Sequence, residues 1–432
     1  MIDKVRLYNP IELDVSKFDE RFKYQNYTVA PKIDKETGEV LKQGYEVERY
    51  FYEHNSLAII YSIKEQKLKV QGRLPNASRT RNLVHNMDDY ILGKEKIIKW
   101  EVHQEEQDAT WLCDNAEYDA DDNLVFPDQW IEYDDIESVE DDVKSIIESV
   151  NRKIYELTRV RMDIRVFRVS YIEVTFNLFD VAHVNRYIEM FNLIFDKKQD
   201  PRYKNYVREN NLGRYTSFYV KSNSNYRDNK NDSYTVNFYN KKNQLEYLEA
   251  NPKNNSNVTS RDKRLAENVL RLEVQLAYQG IKSVGNTFKN FLDINVCKDV
   301  IVNKYRWFIS KNEDLDFYSY KAAKQIIIQS DLKPGIKSGL LDYIKSKKKY
   351  HPNTVSKYRK LLASLGIHWC FIPTAWGIDY LESPMKLLNE KVNEIVGSFE
   401  NWQAYLEWVN EAVQYSEALT EPQEQEVNES PF

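Results

Sequence analysis

With 432 residues the chain is long enough for two or three domains and a sizeable core. Its 42% hydrophobic and 30% charged residues describe a globular chain, and no run of ~18 apolar residues offers a membrane span. The opening Met1-Ile2-Asp3-Lys4-Val5 lacks the basic-then-apolar pattern of a secretory signal, and Cys113, Cys297 and Cys370 sit in no CxxC or Cys/His metal spacing. A cytoplasmic protein without disulfides, structural zinc or a membrane partner is expected.

The net charge of -6 is unevenly spread. Residues 104–143 hold 16 acidic side chains and no Lys or Arg, and 417–432 hold 5 and none, which leaves the remainder at +15. A basic body with two acidic attachments is compatible with a polyanion partner. The 31 Tyr and 18 Phe against 12 Gly place many rings among those cations, where they serve either to stack bases or to pack a β-rich core.

In chain order, Ser56 to Ile63 and Lys67 to Gly72 read as strands, followed by a basic stretch carrying Arg73, Arg79 and Arg81. Residues 1–103 are expected to be a β-rich domain, its strands either extending a larger sheet or forming a half-domain of their own. Residues 104–142 are expected to be an acidic loop or insertion. Val143, Ile146, Ile147, Val150, Ile154 and Leu157 recur at helical spacing, as do Val181, Val184, Tyr187, Ile188, Phe191 and Ile194. Four strands are centred on Glu173, Tyr219, Asn237 and Glu273. From about Asn303 the pattern is helical, and Leu340 to Gly366 reads as helix, break at His351-Pro352, and helix with Asn353 as N-cap. The last ~16 residues are expected to be disordered, and no internal repeat stands out.

Alternation divides each of the four strands into a core row and a facing row. The facing rows are Tyr171, Glu173, Thr175 and Asn177; Ser217, Tyr219 and Lys221; Thr235, Asn237, Tyr239 and Lys241; and Arg271, Glu273 and Gln275. Carboxylates on neighbouring strands hold Mg²⁺ or Mn²⁺ through oxygen, a tyrosine nearby can attack phosphorus, and a lysine can lower its pKa or offset phosphate charge. A solvated face with Glu-Lys and Glu-Arg cross-strand pairs has the same pattern.

At these residues the chain resembles the filamentous-phage gene II replication initiators and related plasmid Rep proteins. The blocks are Met1-Ile2-Asp3, Lys67-Leu68-Lys69-Val70-Gln71-Gly72, Tyr171-Ile172-Glu173-Val174-Thr175-Phe176, Val236-Asn237-Phe238-Tyr239-Asn240-Lys241 with Leu245, and Val269-Leu270-Arg271-Leu272-Glu273-Val274-Gln275-Leu276, with weaker similarity at Tyr358, Arg359 and Leu361. They run in order and cover well under a third of the chain. The resemblance implies a rolling-circle initiator that nicks one origin strand, stays on its 5′ end and later rejoins it, working with a host helicase and polymerase. It maps Tyr239 to the nucleophile, Lys241 and Arg271 to basic neighbours, and Glu173 and Glu273 to the metal-holding positions for Mg²⁺ or Mn²⁺. Glu173 replaces an Asp of the coliphage relatives, and Tyr219 stands as an alternative nucleophile. No His-hydrophobe-His pair occurs among the six histidines, and no phosphate-binding loop for ATP is present.

The expected fold is α+β: a central antiparallel sheet with helices on one face, like the Rep nucleases, plus a helical C-terminal region. The expected domains are 1–103, the insertion 104–142, a nuclease domain 143–300, a helical and helix-turn-helix-like DNA-binding region 301–380, and a C-terminal helix with acidic tail 381–432. Expected DNA contacts are Arg73, Arg79, Arg81, Lys221, Asn237, Lys347, Lys348, Lys357 and Arg359. The alternatives are a non-catalytic DNA-binding protein and a metal-dependent phosphodiesterase that forms no covalent adduct.

Overall fold

Strands whose side chains alternate between apolar and polar pair through one long antiparallel sheet. It is built from β1 (Ile2–Pro10), β2 (Lys23–Val29), β3 (Tyr45–His54), β4 (Leu57–Ser62), β5 (Lys67–Arg73), β6 (Arg168–Leu178), β7 (Tyr203–Asn205), β8 (Arg208–Glu209), β9 (Tyr215–Ser222), β10 (Tyr234–Asn240) and β11 (Leu270–Leu276). The order across the sheet is β7-β9-β10-β11-β6-β1-β5-β4-β3-β2, with β8 also pairing β9. The computed structural model describes residues 2–33, 40–54, 56–74, 117–118, 124–125, 139–198, 200–206, 208–209, 215–222, 234–250, 258–345 and 350–411. Most of the acidic stretch 104–142 and the C-terminal tail expected to be disordered lie outside these residues; inside the stretch, Glu117–Tyr118 pairs with Leu124–Val125.

Eleven helices are described among these residues, so the chain is α+β. Helices α1 (Val139–Thr158), α2 (Val184–Lys198) and α6 (Ile294–Phe308) supply the apolar stripes that cover one sheet face. In α1 the residues at helical spacing from Val143 to Leu157 are all buried in the same core as Ile172, Val174 and Phe176 of β6 and Leu68 and Val70 of β5. Asp293 caps α6, accepting a bond from Asn295 N at 2.9 Å. Helices α3 (Lys241–Ala250) and α4 (Ser260–Leu265) lie between β10 and β11 in sequence, with α5 (Tyr278–Val284) after β11. No helix among the described residues is long and apolar enough to cross a membrane.

The strands at 56–72 extend the sheet, with β1 and β6 as its central pair. An internal repeat, which the sequence reading did not find, is present in the topology. On one side of the central pair the order outward is β1-β5-β4-β3-β2, and on the other β6-β11-β10-β9-β7, each half being one strand whose later partners in the chain run from the sheet edge back toward it. Ile2 pairs with Val174, Val5 with Ile172 and Leu7 with Val169, so exchanging Ile2 with Val169, Val5 with Ile172 and Leu7 with Val174 maps the pairing onto itself. The same rotation aligns Leu68-Lys69-Val70-Gln71 of β5 with Leu272-Glu273-Val274-Gln275 of β11, since Leu7 pairs with Val70 and Val174 with Val274.

The C-terminal region adds α7 (Tyr320–Gln329), α8 (Pro334–Lys345), α9 (Pro352–Ser364), α10 (Pro384–Ser398) and α11 (Trp402–Asn410). Helices α7 to α9 close a small core of their own from Ala323, Ile327, Leu340 and Leu362 with Ile367. The N-cap of α9 is His351, whose Nδ1 accepts from Asn353 N at 3.3 Å, and not Asn353; with Pro352 in its first turn the helix starts two residues earlier than expected. Helix α10 packs on α6 and β6, and its Lys391 reaches the carbonyl of Asn177 at 2.9 Å.

Gly72, opposite Val5, has φ of 129°, and a Cβ there would sit 2.0 Å from Ser56 O. Gly72→Ala is expected to destabilise the fold by about 3 kcal/mol, read as a lower midpoint in urea at unchanged slope.

Candidate active site

The sheet face away from the core helices carries the four predicted facing rows, Lys241 excepted, and a bulge adds a fifth strand to them. Ile2 and Val5 are both buried in the core, and the register slips by one residue between them. Two residues of β1 therefore stand where an unbroken strand would place one, and both Asp3 and Lys4 reach the opposite face. Asp3 accepts from Arg73 Nε at 2.5 Å and from Arg271 Nη2 at 2.7 Å. Arg271, 1% exposed, also lies 3.6 Å from Glu273 through Nε and 3.4 Å from Asn177 Oδ1 through Nη1. Burial alone would raise the Asp3 carboxyl, but Arg73 and then Arg271 outweigh it and hold it well below its usual range.

Glu173 and Glu273 are diagonal neighbours, because Glu173 pairs with Gln275 and Glu273 with Thr175. Diagonal positions on adjacent antiparallel strands lie about 7–8 Å apart, within joint reach of one ion. Each carboxylate, 4% and 5% exposed, is held in place. Tyr171 donates to Glu173 Oε1 at 2.5 Å and Lys4 Nζ stands 3.4 Å from its Oε2. Gln275 donates to Glu273 Oε1 at 2.8 Å, and Tyr239 donates to its Oε2 at 3.1 Å. Burial, then the charge of Glu273, raises the Glu173 carboxyl above its ordinary value.

Directly across from Glu273 stands Asn237, whose buried Oδ1 has no hydrogen-bond partner among the described residues. An orphaned oxygen beside two carboxylates is a donor set of the hard, oxygen-only kind that Mg²⁺ and Mn²⁺ take. Among the described residues no group of three His, Cys, Asp or Glu side chains is placed to hold a metal. The fit thus rests on Glu173, Glu273 and the amide oxygen of Asn237.

Tyr239 sits opposite Arg271 on the neighbouring strand and is 4% exposed. Burial raises its phenol well above the ordinary value of 10.0, Arg271 being the charge that most opposes the rise. Lys241 departs from the expected strand: it is the first residue of α3 and not a member of the facing row of β10, because the chain turns helical directly after Asn240. Its buried amine donates to Gln244 at 2.8 Å and stands 6.0 Å from the Tyr239 ring centre. Burial, then Arg271, holds the amine well below its usual range. Tyr219 shares the same face opposite Asn237, half-exposed, with the Tyr206 ring 5.6 Å away.

Glu173, Glu273, Tyr239, Arg271, Asn237 and Lys241 are therefore brought together, with Tyr219 one strand beyond and Lys221 exposed at the far end of its strand. Arg73, expected on a basic loop, is a buried strand residue paired with Asp3. Arg79, Arg81, Lys347 and Lys348 lie outside the described residues. Lys357 and Arg359 are on α9, away from this face; Lys357 lines an open groove of about 550 Å³ with Asn353 and Lys360, and Arg359 stacks on Trp369 at 4.0 Å. Sequence reasoning missed Asp3, Lys4 and Tyr171 as site residues, although the broken spacing of Ile2, Val5 and Leu7 is the mark of a bulge. No protein-family model matches the chain, and no curated protein matches it in sequence.

Asp3→Asn removes the charge of the carboxylate that two buried guanidiniums share and is expected to destabilise the fold by about 3–5 kcal/mol in urea titrations. Because the folded carboxyl is depressed, its contribution is fully present above the unfolded value near 3.8 and is lost as the pH falls below it. The gap in stability between the wild type and the variant should accordingly narrow below pH 3.8 and stay constant between pH 6 and 8.

Proposed function

We propose that the chain is a rolling-circle replication initiator of the filamentous-phage gene II type, a metal-dependent, site-specific DNA endonuclease and strand transferase whose sheet is of the Rep nuclease kind. The observation that carries this reading is the hydrogen bond of the Tyr239 phenol to Glu273, with Glu173 diagonally across and the unpartnered oxygen of Asn237 alongside. A tyrosine whose proton has a carboxylate to go to, set among oxygen donors, is suited to attack on a phosphodiester.

Glu173, Glu273 and Asn237 would hold Mg²⁺ or Mn²⁺, and the bound ion supplies neutralisation of charge on the scissile phosphate. The Tyr239 oxygen attacks phosphorus while its proton passes to Glu273. The bond from phosphorus to the 3′ oxygen breaks, the oxygen takes a proton from water, and a 3′-OH primer and a 5′-phosphotyrosyl ester result. The reverse attack by a 3′-OH rejoins the strand and returns the proton to the phenol. Arg271 fixes Glu273 and offsets charge on the phenolate, Lys4 stands at the exposed side of Glu173, and Lys241 lies beside the Tyr239 ring. The groove on α9 with Lys357 and Lys360 suits contact with origin duplex. No ATP-binding loop occurs in the sequence, so unwinding falls to a host helicase and extension to a host polymerase, in the cytoplasm.

Incubation with supercoiled DNA of the encoding replicon and Mn²⁺, followed by digestion and mass spectrometry, should yield a nucleotide-linked peptide containing Tyr239, absent in Tyr239→Phe. An adduct on Tyr219 would transfer the nucleophile to that residue. Nicking that survives both tyrosine variants would replace the covalent mechanism with hydrolysis, and no nicking would leave a binding protein. Glu273→Gln should slow nicking about 10²–10⁴-fold.

Metal binding has a readout apart from activity. Mn²⁺ at about 100 times its Kd should stabilise the wild type by about 2.7 kcal/mol in thermal melts, and Glu173→Gln, Glu273→Gln should lose that gain.

A further inference from the structure

The half of the sheet that does not carry the site repeats the half that does, with its chemistry inverted. Under the rotation that exchanges the two halves, Arg6 takes the place of Glu173, Lys69 that of Glu273 and Lys67 that of Arg271. Continuing outward through the registers of β4 and β3, Ser62 takes the place of Tyr239 and Phe51 that of Tyr219. Both metal-holding carboxylates become cations and the nucleophile becomes a hydroxyl on a short side chain, while the outer aromatic ring is kept. Such a face cannot hold a divalent cation or form a phosphotyrosine, but its charge favours phosphate.

The rings on this face are interleaved with cations. Arg6 lies over Tyr171 at 5.2 Å, and Lys67 over Tyr8 at 5.9 Å. Further out, Arg49 stands over both Phe51 at 4.8 Å and Tyr27 at 5.3 Å. Arg6 and Lys23 are exposed and Tyr27 is 42% exposed, so the outer rows meet solvent. Lys69 is paired with Glu65 at 2.6 Å, and Glu53 is the carboxylate standing on the outer rows of β3. The remaining cations have no acidic partner of that kind on these rows among the described residues, so the complementary ligand is a polyanion with flat apolar rings. Single-stranded nucleic acid combines the two: phosphates for the cations and bases to stack on the rings.

We propose that the half of the sheet made by β1, β5, β4, β3 and β2 is a binding platform for single-stranded DNA, continuous with the candidate active site. The idea rests on the nickase reading for its choice of DNA, and on the repeat and the ring-cation rows for its location. Strands lie about 4.8 Å apart, so the seven spacings from β10 to β2 span about 34 Å. At about 3.4 Å per stacked nucleotide, ~10 nucleotides cover that distance. A strand held there leads directly to Tyr239, and its sequence is read by no part of the platform, since stacking and phosphate contacts serve every base.

The test uses the full chain in EDTA with fluorescent oligothymidylates of 5, 10 and 20 nucleotides, read by anisotropy. Affinity is expected to rise steeply from 5 to 10 nucleotides and little from 10 to 20, and to exceed that for a 20-base-pair duplex. Arg49→Ala with Phe51→Ala should weaken binding to the 20-mer about tenfold or more. Each cation removed should lower the slope of log affinity against log salt by roughly 0.7. Phe51→Tyr, which keeps the ring and the strand, should bind like the wild type, and this variant separates loss of stacking from loss of folding. Lys282→Ala, at an exposed position of α5, should leave oligothymidylate binding unchanged. Wild-type affinity no greater for single strand than for duplex, or platform variants that bind like the wild type, would overturn the platform. Glu173→Gln should keep oligothymidylate binding in EDTA, so a failed nicking assay with intact, platform-dependent binding removes the nickase reading alone.

Discussion

The arrangement depends on one buried contact, the Arg271 guanidinium held by Asp3. A guanidinium that is 1% exposed is tolerated in the interior only when its donors meet acceptors, and a carboxylate at 2.7 Å supplies the strongest of these. Arg271 belongs to β11, and Asp3 comes from β1, 268 residues away in sequence. The contact therefore ties the opening strand into the centre of the sheet and fixes Glu273 beside it. Arg73 on the far side of Asp3 extends the same cluster into the other half, so one carboxylate joins both halves through two cations. The site is thus a product of long-range closure, completed only when β1 is paired on both its edges.

That closure explains how two halves of common topology take different chemistry. The central pair β1 and β6 is related by the rotation, yet the corresponding bulge positions carry Asp3 in one strand and Ser170 in the other. Only the β1 bulge delivers a carboxylate, and it points at the arginine of β11. On the β5 side, Lys67 and Lys69 stand where Arg271 and Glu273 stand in β11, so the carboxylate partner of a metal site is missing there. The backbone offers the same scaffold twice, and side-chain identity alone decides which half can concentrate negative charge.

Much of this was legible from alternation. The core rows Ile172, Val174, Phe176 and Leu270, Leu272, Val274 announce which side chains face away, and Glu173, Asn237, Tyr239, Arg271 and Glu273 follow from them. What was not legible breaks the period. Asp3 and Lys4 sit in a bulge, where counting by two fails. Lys241 follows a strand in sequence yet starts a helix, so its row assignment ended at Asn240. Arg73 looked like a member of a basic loop because Arg79 and Arg81 are near in sequence, whereas its burial depends on a partner 70 residues earlier. The repeat was hidden because its shared letters, Leu-x-Val-Gln in β5 and β11, are few, and Lys67 and Lys69 stand against Arg271 and Glu273 at the positions facing away from the core.

Burial sets a further condition on chemistry at this face. Tyr239, Glu173 and Glu273 are almost wholly screened from solvent, while Lys23 and Tyr27 of β2 are exposed and Arg49 and Phe51 of β3 are half-buried. For the proposed reaction, water around an ionised carboxylate pair would weaken its hold on a hard cation and compete with the tyrosine for phosphorus, so screening would favour transfer over hydrolysis. On the proposed reading a DNA strand would reach Tyr239 along the sheet or by displacing neighbouring side chains, and Lys4, at the exposed side of Glu173, would be the cation nearest that carboxylate on its way. If the two proposals hold, the ring-cation rows that would bind the strand and the screened site that would react with it are two stages of one track, with the central β1-β6 pair between them.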